Sequence, residues 1–188
     1  ISVRVSLEGY QTVTINDLSI EVTPKAVTVK ANDASKMYGE NDPKFTATVT
    51  GTLNEDKIEY KVTRPGAGTD EAVKTYEDAI IAAGDKEQGN YTVTYEPGDF
   101  TINTNTTALA LTAESGGGEY KGTAYYLNNV KATLNGEDLK DANIEYKVGD
   151  GEWTKEAPSA TNVSDSLKNN ISVRVSLEGY QTVTINDL

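Results

Sequence analysis

Four side chains with oxygen donors crowd one turn-rich stretch: Asp33, Glu40, Asn41 and Asp42. Calcium takes roughly six to eight such oxygens, so Asp33, Glu40 and Asp42 are the candidate carboxylates for a cation. Their spacing lacks the sixth-position Gly and twelfth-position Glu of an EF-hand loop, and turn capping is the commoner use of Asn and Asp. A second group, Tyr125, Tyr126 and Trp153, has the chemistry of an aromatic platform for a glycan. Neighbouring residues on a strand face opposite sides, which admits at most one of the two tyrosines to any platform. Packing in the core is the plainer role for all three. Asp and Glu are numerous enough for two of them to fall at glycosidase distance, but no pocket-forming apolar loop or Gly-rich cradle accompanies them. The residues call for no cofactor, and the chain reads as non-enzymatic.

Two absences narrow the chemistry. The 188 residues contain no Cys and no His. Disulfides and thiolate metal sites are excluded, as are serine triads and zinc hydrolase sites that depend on imidazole. The net charge is −12, with 17 basic against 29 acidic residues, and such a surface repels a phosphate backbone. Nucleic acid is therefore not an expected partner. Acidity of this kind keeps an exposed protein soluble, and a cationic ligand or metal is the alternative use. No apolar run approaches the ~20 residues that span a bilayer, so membrane insertion is not expected.

The elements that must position these residues are strands. Ile1, Val3, Val5 and Leu7 alternate with Ser2, Arg4 and Ser6, and Val13 and Ile15 continue the period after the Gly9 turn. Similar alternation runs through Ser19–Val29, through Phe45, Ala47 and Val49, and through Lys57–Val62. Asn90–Ile102 reads as strand, Pro97-Gly98 turn, strand. Thr69–Gly84 fits either a helical face or a strand with a bend, and the flanking strands favour the second. Val148–Trp153 predicts a hairpin with a Gly-Asp-Gly tip. Tyr38, Tyr60, Tyr76, Tyr91, Tyr95 and Tyr146 read as core residues or as hydroxyl ties to the backbone.

One relation organises the whole chain. Residues 1–18, ISVRVSLEGYQTVTINDL, recur unchanged 170 positions later as residues 171–188. Identity of that length marks a tandem array. Within the period, Ala108–Ala113 echoes Ala26–Ala31, and IEYKV occurs at both Ile58–Val62 and Ile144–Val148. The expected frame is residues 1–22 as closing strands of a preceding module, 23–103 as a first full module and 104–188 as a second. Thr23-Pro24 and Asn103–Thr107 would be the junctions. The second module would lack part of its last strand. The first hairpin, orphaned from its own core, is expected to pair with a neighbouring repeat or chain.

The first half resembles a known family. Tyr38-Gly39, Asp42-Pro43, Gly51, Gly89-Asn90-Tyr91 and Gly98–Ile102 are the features of the MBG-type repeat of bacterial surface adhesins, and they cover Val22–Asn103. The usual Gly before the central Tyr is absent, since Lys74-Thr75 precede Tyr76. The second half, with its IEYKVGDGEWTKEAP and NVSD stretches, is similar to the Ig-like modules that alternate with such repeats. The resemblance implies a mainly β chain of two small antiparallel β-sandwich or β-grasp-like modules in tandem, like beads on a string. It implies a Gram-positive cell-surface protein, extracellular and attached to the wall. There the repeats would act as a stalk carrying a distal binding region, or would themselves present a weak site for a host glycan or protein many times over. Lys-to-Asn cross-links occur in such modules, with Lys30 and Lys131 at suitable strand positions. Asn90, Asn105, Asn162 and Asn170 begin Asn-x-Ser/Thr sequons.

Overall fold

The structure, a computed structural model, describes residues 1–68 and 71–188. Its strands are β1 (Val3–Val5), β2 (Val13–Ile15), β3 (Lys25–Ala31), β4 (Ala34–Met37), β5 (Ala47–Thr50), β6 (Lys61–Thr63), β7 (Thr75–Ala83), β8 (Glu87–Gln88), β9 (Tyr91–Glu96) and β10 (Gly98–Asn103) in the first half. In the second half they are β11 (Leu109–Glu114), β12 (Asn128–Leu134), β13 (Glu137–Asp138), β14 (Asn143–Val148), β15 (Ile171–Ser176) and β16 (Val183–Ile185). The helical structure among the described residues is a single 3-10 turn, Val163–Asp165. The chain is mainly β, as its alternation predicts. No helix among the described residues is long and apolar enough to cross a membrane.

The chain forms two compact units. The first comprises Ile1–Asn32, Phe45–Thr63 and Ile80–Gly98; the second comprises Asp33–Lys44, Arg64–Ala79 and Asp99–Leu188. Residues 23–103, expected as one module, contribute to both.

In the first unit a four-stranded sheet has the order β5-β3-β9-β8. Val27, Val29 and Ala31 of β3 are buried, as are Tyr91 and Val93 of β9, while Thr28, Lys30, Thr92 and Thr94 point outward. Period-two patterning places these faces correctly. It does not report strand direction. β3 runs parallel to β9, from Lys25 opposite Tyr91 to Lys30 opposite Glu96, where antiparallel modules are expected from sequence. Parallel neighbours need a long crossover, supplied here by the chain between residues 32 and 90. Tyr91 behaves as a tie: its hydroxyl donates to Asp56 Oδ2 at 2.6 Å and accepts from the Leu53 N–H at 3.0 Å. Tyr95 likewise donates to the Asp85 carbonyl.

In the second unit β4 lies parallel to β10, Ala34 opposite Phe100 and Met37 opposite Asn103. Thr75–Ala83, which begins among the residues of the second unit and ends among those of the first, is a strand and not a helix, since Ile80 and Ala82 are buried with exposed Ile81 between them. The bend falls at Asp78, whose φ is 52° and whose N–H donates to Asp99 Oδ1 at 2.9 Å. Thr69 and Asp70, the first residues of that expected segment, lie outside the described residues. The second half builds two three-stranded sheets, β11-β12-β13 and β14-β15-β16. Leu109, Leu111, Ala132, Ile171, Val173 and Val175 form their shared core.

The two copies of the repeated segment adopt one hairpin. Val3, Arg4 and Val5 face Ile15, Thr14 and Val13 in β1–β2; Val173, Arg174 and Val175 face Ile185, Thr184 and Val183 in β15–β16. The turn glycines match, Gly9 at φ 82° and Gly179 at φ 80°, and so do Asp17 and Asp187, both at φ 60°. Their surroundings differ. Val173 and Val175 are 0% exposed, whereas Val3 is 55% and Val5 66% exposed. β15 is also paired on its other side with β14, and β1 has β2 as its sole sheet partner among the described residues.

Candidate functional site

The second unit holds three clusters that a function can use. The first is ionic. Arg64 donates through Nε and Nη2 to both carboxylate oxygens of Asp42, each at 2.8 Å, and Nη2 also reaches Glu71 Oε1 at 2.8 Å. Lys36 Nζ pairs with Asp42 Oδ1 at 3.0 Å and with Glu71 Oε2. The guanidinium lies 4.2 Å from the centre of the Phe100 ring, a cation–π contact on a fully buried aromatic. Hydrogen bonds from Arg64 hold the Asp42 carboxyl below its usual range against the opposing effect of burial. Glu71 is brought down to about 2, chiefly by Lys36, with Arg64 and the Gly68 N–H adding to it. Burial pulls Lys36 down, and its two carboxylate partners more than restore it, so its pKa is raised. Groups displaced in these directions stay charged across neutral pH and exchange no proton there. The cluster therefore ties Arg64, Glu71 and Asp42 to Lys36 of β4.

This network accounts for one of the three calcium candidates. Asp42 is spent on two cations. Asp33 is spent elsewhere, accepting from the Asp99 N–H at 2.8 Å, and Glu40 accepts from the Met37 N–H at 3.3 Å. Each carboxylate faces its own donor, and no cluster of three or more metal-ligating side chains occurs among the described residues.

The second cluster is a cleft of about 400 Å³ between Ser115–Gly118 and Pro158–Asn169, a size within the range of small-ligand sites. Tyr120, Tyr125 and Tyr126 all line it. The strand rule that separates the adjacent tyrosines does not apply, because Tyr125 makes only an isolated bridge to Ala160 and Tyr126 lies outside any strand. Glycine makes the packing possible: a Cβ on Gly116 would sit 1.6 Å from the Tyr126 carbonyl oxygen, and one on Gly118 would sit 2.8 Å from the Tyr125 hydroxyl. The Tyr125 hydroxyl donates to the Glu119 carbonyl at 2.6 Å, and Lys121 Nζ lies 3.9 Å from its ring centre. Tyr120 and Tyr126 are 68% and 55% exposed. Trp153 does not join them. Arg174 and Lys147 lie over its ring at 4.3 and 5.4 Å. The Gly-rich stretch beside the tyrosines is the signal that points to Tyr120, which sequence reading passed over.

The third cluster is a backbone lock. Asn105 is buried, at 8% exposure. Its side-chain amide donates to the Tyr38 carbonyl at 3.1 Å, and its Oδ1 accepts from the N–H groups of Thr107 and Ala108. Its backbone N–H donates to the Gly179 carbonyl at 2.9 Å, and its carbonyl accepts from Gln181 at 2.8 Å. The Asn103–Thr107 stretch expected as a linker is thus stitched to the turn of the closing hairpin. Above it, the rings of Tyr38 and Tyr180 meet edge to face with centres 5.4 Å apart. Gly39 and Gly179 allow this approach, since a Cβ on either would fall within 2.8 Å of the opposing tyrosine. The Asn105 side chain has no room for a glycan. Lys131 ion-pairs with Asp138 at 2.6 Å.

No curated protein and no solved structure matches the chain. Residues 27–101, which include the Tyr38-Gly39-Glu40 turn of this lock, match the family model of the MBG domain of YGX type, in agreement with the resemblance of the first half to that repeat.

Proposed function

We propose that the chain is a stalk repeat of an extracellular bacterial adhesin, anchored to the cell wall and holding a distal binding region away from the surface. The observation that carries this reading is the Asn105 lock. Asn105, hydrogen-bonded through backbone and side chain to Tyr38, Gly179 and Gln181, is held inside the second unit, so the stretch expected as a linker adds no hinge within that unit, and a stiff rod made of repeats requires few hinges. The net charge of −12 keeps such a rod soluble and repels its neighbours. The work of the chain is mechanical, and no catalytic step is assigned to it. Small-angle scattering on one, two and three tandem 170-residue repeats tests this. The maximum dimension should grow in proportion to repeat number. Growth nearer the square root of that number, as for a flexible string, would exclude a stiff stalk.

The tyrosine cleft favours a second reading, in which each repeat also offers a weak glycan site and the array supplies avidity. Exposed Tyr120 and Tyr126 supply sugar-stacking faces, and Ser159, Thr161 and Asn162 supply hydrogen-bonding groups. A glycan array probed with one repeat and with its Tyr126→Ala variant decides this: binding that the substitution abolishes supports the site, and an array without signal removes it.

A further inference from the structure

Two stretches of the chain run beside each other in the same direction. In the first unit β3 lies parallel to β9, with six facing pairs from Lys25 opposite Tyr91 to Lys30 opposite Glu96. In the second unit β4 lies parallel to β10, with four facing pairs from Ala34 opposite Phe100 to Met37 opposite Asn103. In both ladders the facing residue stands 66 positions further along the chain, so the register does not slip from one to the other. Backbone bonds of 2.8 Å close the ends, from the Lys25 N–H to the Asn90 carbonyl and from the Tyr38 N–H to the Asn103 carbonyl. Within the second unit Asp33 continues the register with its side chain. Its Oδ1 accepts at 2.8 Å from the N–H of Asp99, again 66 positions on, and Asp99 Oδ1 accepts in turn from the Asp78 N–H at 2.9 Å. Val27, Val29, Val93, Phe100 and Ile102 of these strands are buried, so water does not at once replace a bond broken there.

We infer that residues 25–37 and 91–103 form a tension-bearing clamp that resists a pull along the chain. Such a pull enters this stretch at Lys25 and leaves it at Asn103. It draws β3 towards its N-terminal end and draws β9 and β10 towards their C-terminal ends. In a parallel pair those directions oppose each other along the strands, so each ladder is loaded in shear and its evenly spaced bonds share the load. Antiparallel terminal strands would set the two pulled ends together and part bond by bond. Residues 38–90 join the two clamped stretches and carry no tension until the clamp parts. Resistance to tension is separate from resistance to bending, so the clamp and the stiff rod stand on different measurements.

The full chain, which has no cysteine of its own, takes DNA handles on introduced thiols in an optical trap. Thr23→Cys with Thr104→Cys, both at exposed positions, pulls along the clamp. Met37→Cys with Thr104→Cys draws apart the facing ends of β4 and β10 and peels the same ladders. Forced unfolding reads the unfolding rate, so the two are compared at one loading rate. The first geometry should need at least about twofold more force, because bonds that share a load outlast bonds that meet it singly. It should then release residues 25–103 in one step, roughly 260–280 Å of extended chain less the folded span. Asp33→Ala should lower the force along the clamp, and Asp33→Asn, which keeps an accepting oxygen, should restore most of it. Glu21→Cys and Asn41→Cys, also at exposed positions, replace Thr23→Cys and Met37→Cys where either refolds poorly. Equal forces in the two geometries, release in several smaller steps, or an Asp33→Ala variant as strong as its parent would each overturn the proposal.

Discussion

Tyr180 meets Tyr38 edge to face, ring centres 5.4 Å apart and planes inclined at 80°, and the contact exists because both residues neighbour a glycine. Gly39 follows Tyr38 and Gly179 precedes Tyr180, both at φ near 80°, where a side chain is strained. Gly179 is the tighter position, since a Cβ there would lie 2.3 Å from the Tyr38 ring. Gly9 has the same backbone with nothing within 4 Å.

Gly179→Ala should therefore cost about 1–3 kcal/mol for backbone strain, and more for the ring it displaces. Gly9→Ala carries the backbone strain without a ring to displace and should cost less than Gly179→Ala. Combining Gly179→Ala with Tyr38→Ala should recover the part due to the clash, a coupling that a double-mutant cycle in urea measures.

The duplicated hairpin offers an internal control for burial. Val173→Ala removes two methyl groups from a fully buried site and should cost about 2 kcal/mol. Val3→Ala makes the same change in the same local sequence, 55% exposed, and should stay within about 0.5 kcal/mol. Urea midpoints for the two variants check both values. Equal effects would mean that the first hairpin is already buried in solution.

Acid should dismantle the ionic cluster. The folded-state pKa of Glu71 is depressed from 4.5 to about 2, so its contribution is complete above about 4.5 and is lost as pH falls toward about 2. Asp42 is shifted in the same direction, and its contribution likewise disappears below its ordinary value of 3.8. Glu71→Gln should lower stability at neutral pH and flatten the fall between roughly pH 5 and 2, as followed by denaturant midpoints across that range.

Arg64 serves Asp42, Glu71 and Phe100 at once, and its side chain is only 4% exposed. Arg64→Met keeps the apolar contact with Phe100 but leaves the two carboxylates with Lys36 as their one cation among the described residues. A loss of about 3 kcal/mol is expected, read as a lower denaturant midpoint at unchanged slope. Arg64→Lys should recover little of it, because an ammonium cannot reproduce the forked hydrogen bonds to Asp42.

Much of the fold was legible before any coordinates. Alternation marked the strands that hold Val27, Val29 and Val93, and the flanking strands favoured a bent strand over a helix within Thr69–Gly84. The resemblance to the MBG repeat rested on Tyr38-Gly39 and the Gly-turn spacing, which are local features. The parallel pairing of β3 with β9 was not legible, because side-chain period is the same for either direction. Nor was the shared cleft of Tyr125 and Tyr126, where a single bridge replaces the strand that would have turned them apart.

Residues 1–18 and 171–188 separate the two kinds of information. Alternating residues, a glycine at the turn and a positive φ at Asp17 and Asp187 are encoded within eighteen residues, and they yield one register in both places. Burial is not encoded there. Val173 is enclosed because β14 lies along its strand and Leu109 and Leu111 lie beneath it, and Val3 is exposed because no sheet partner but β2 adjoins its strand among the described residues. Local backbone preference acts through neighbours in the chain, whereas removal of apolar surface from water depends on which distant segments arrive to cover it.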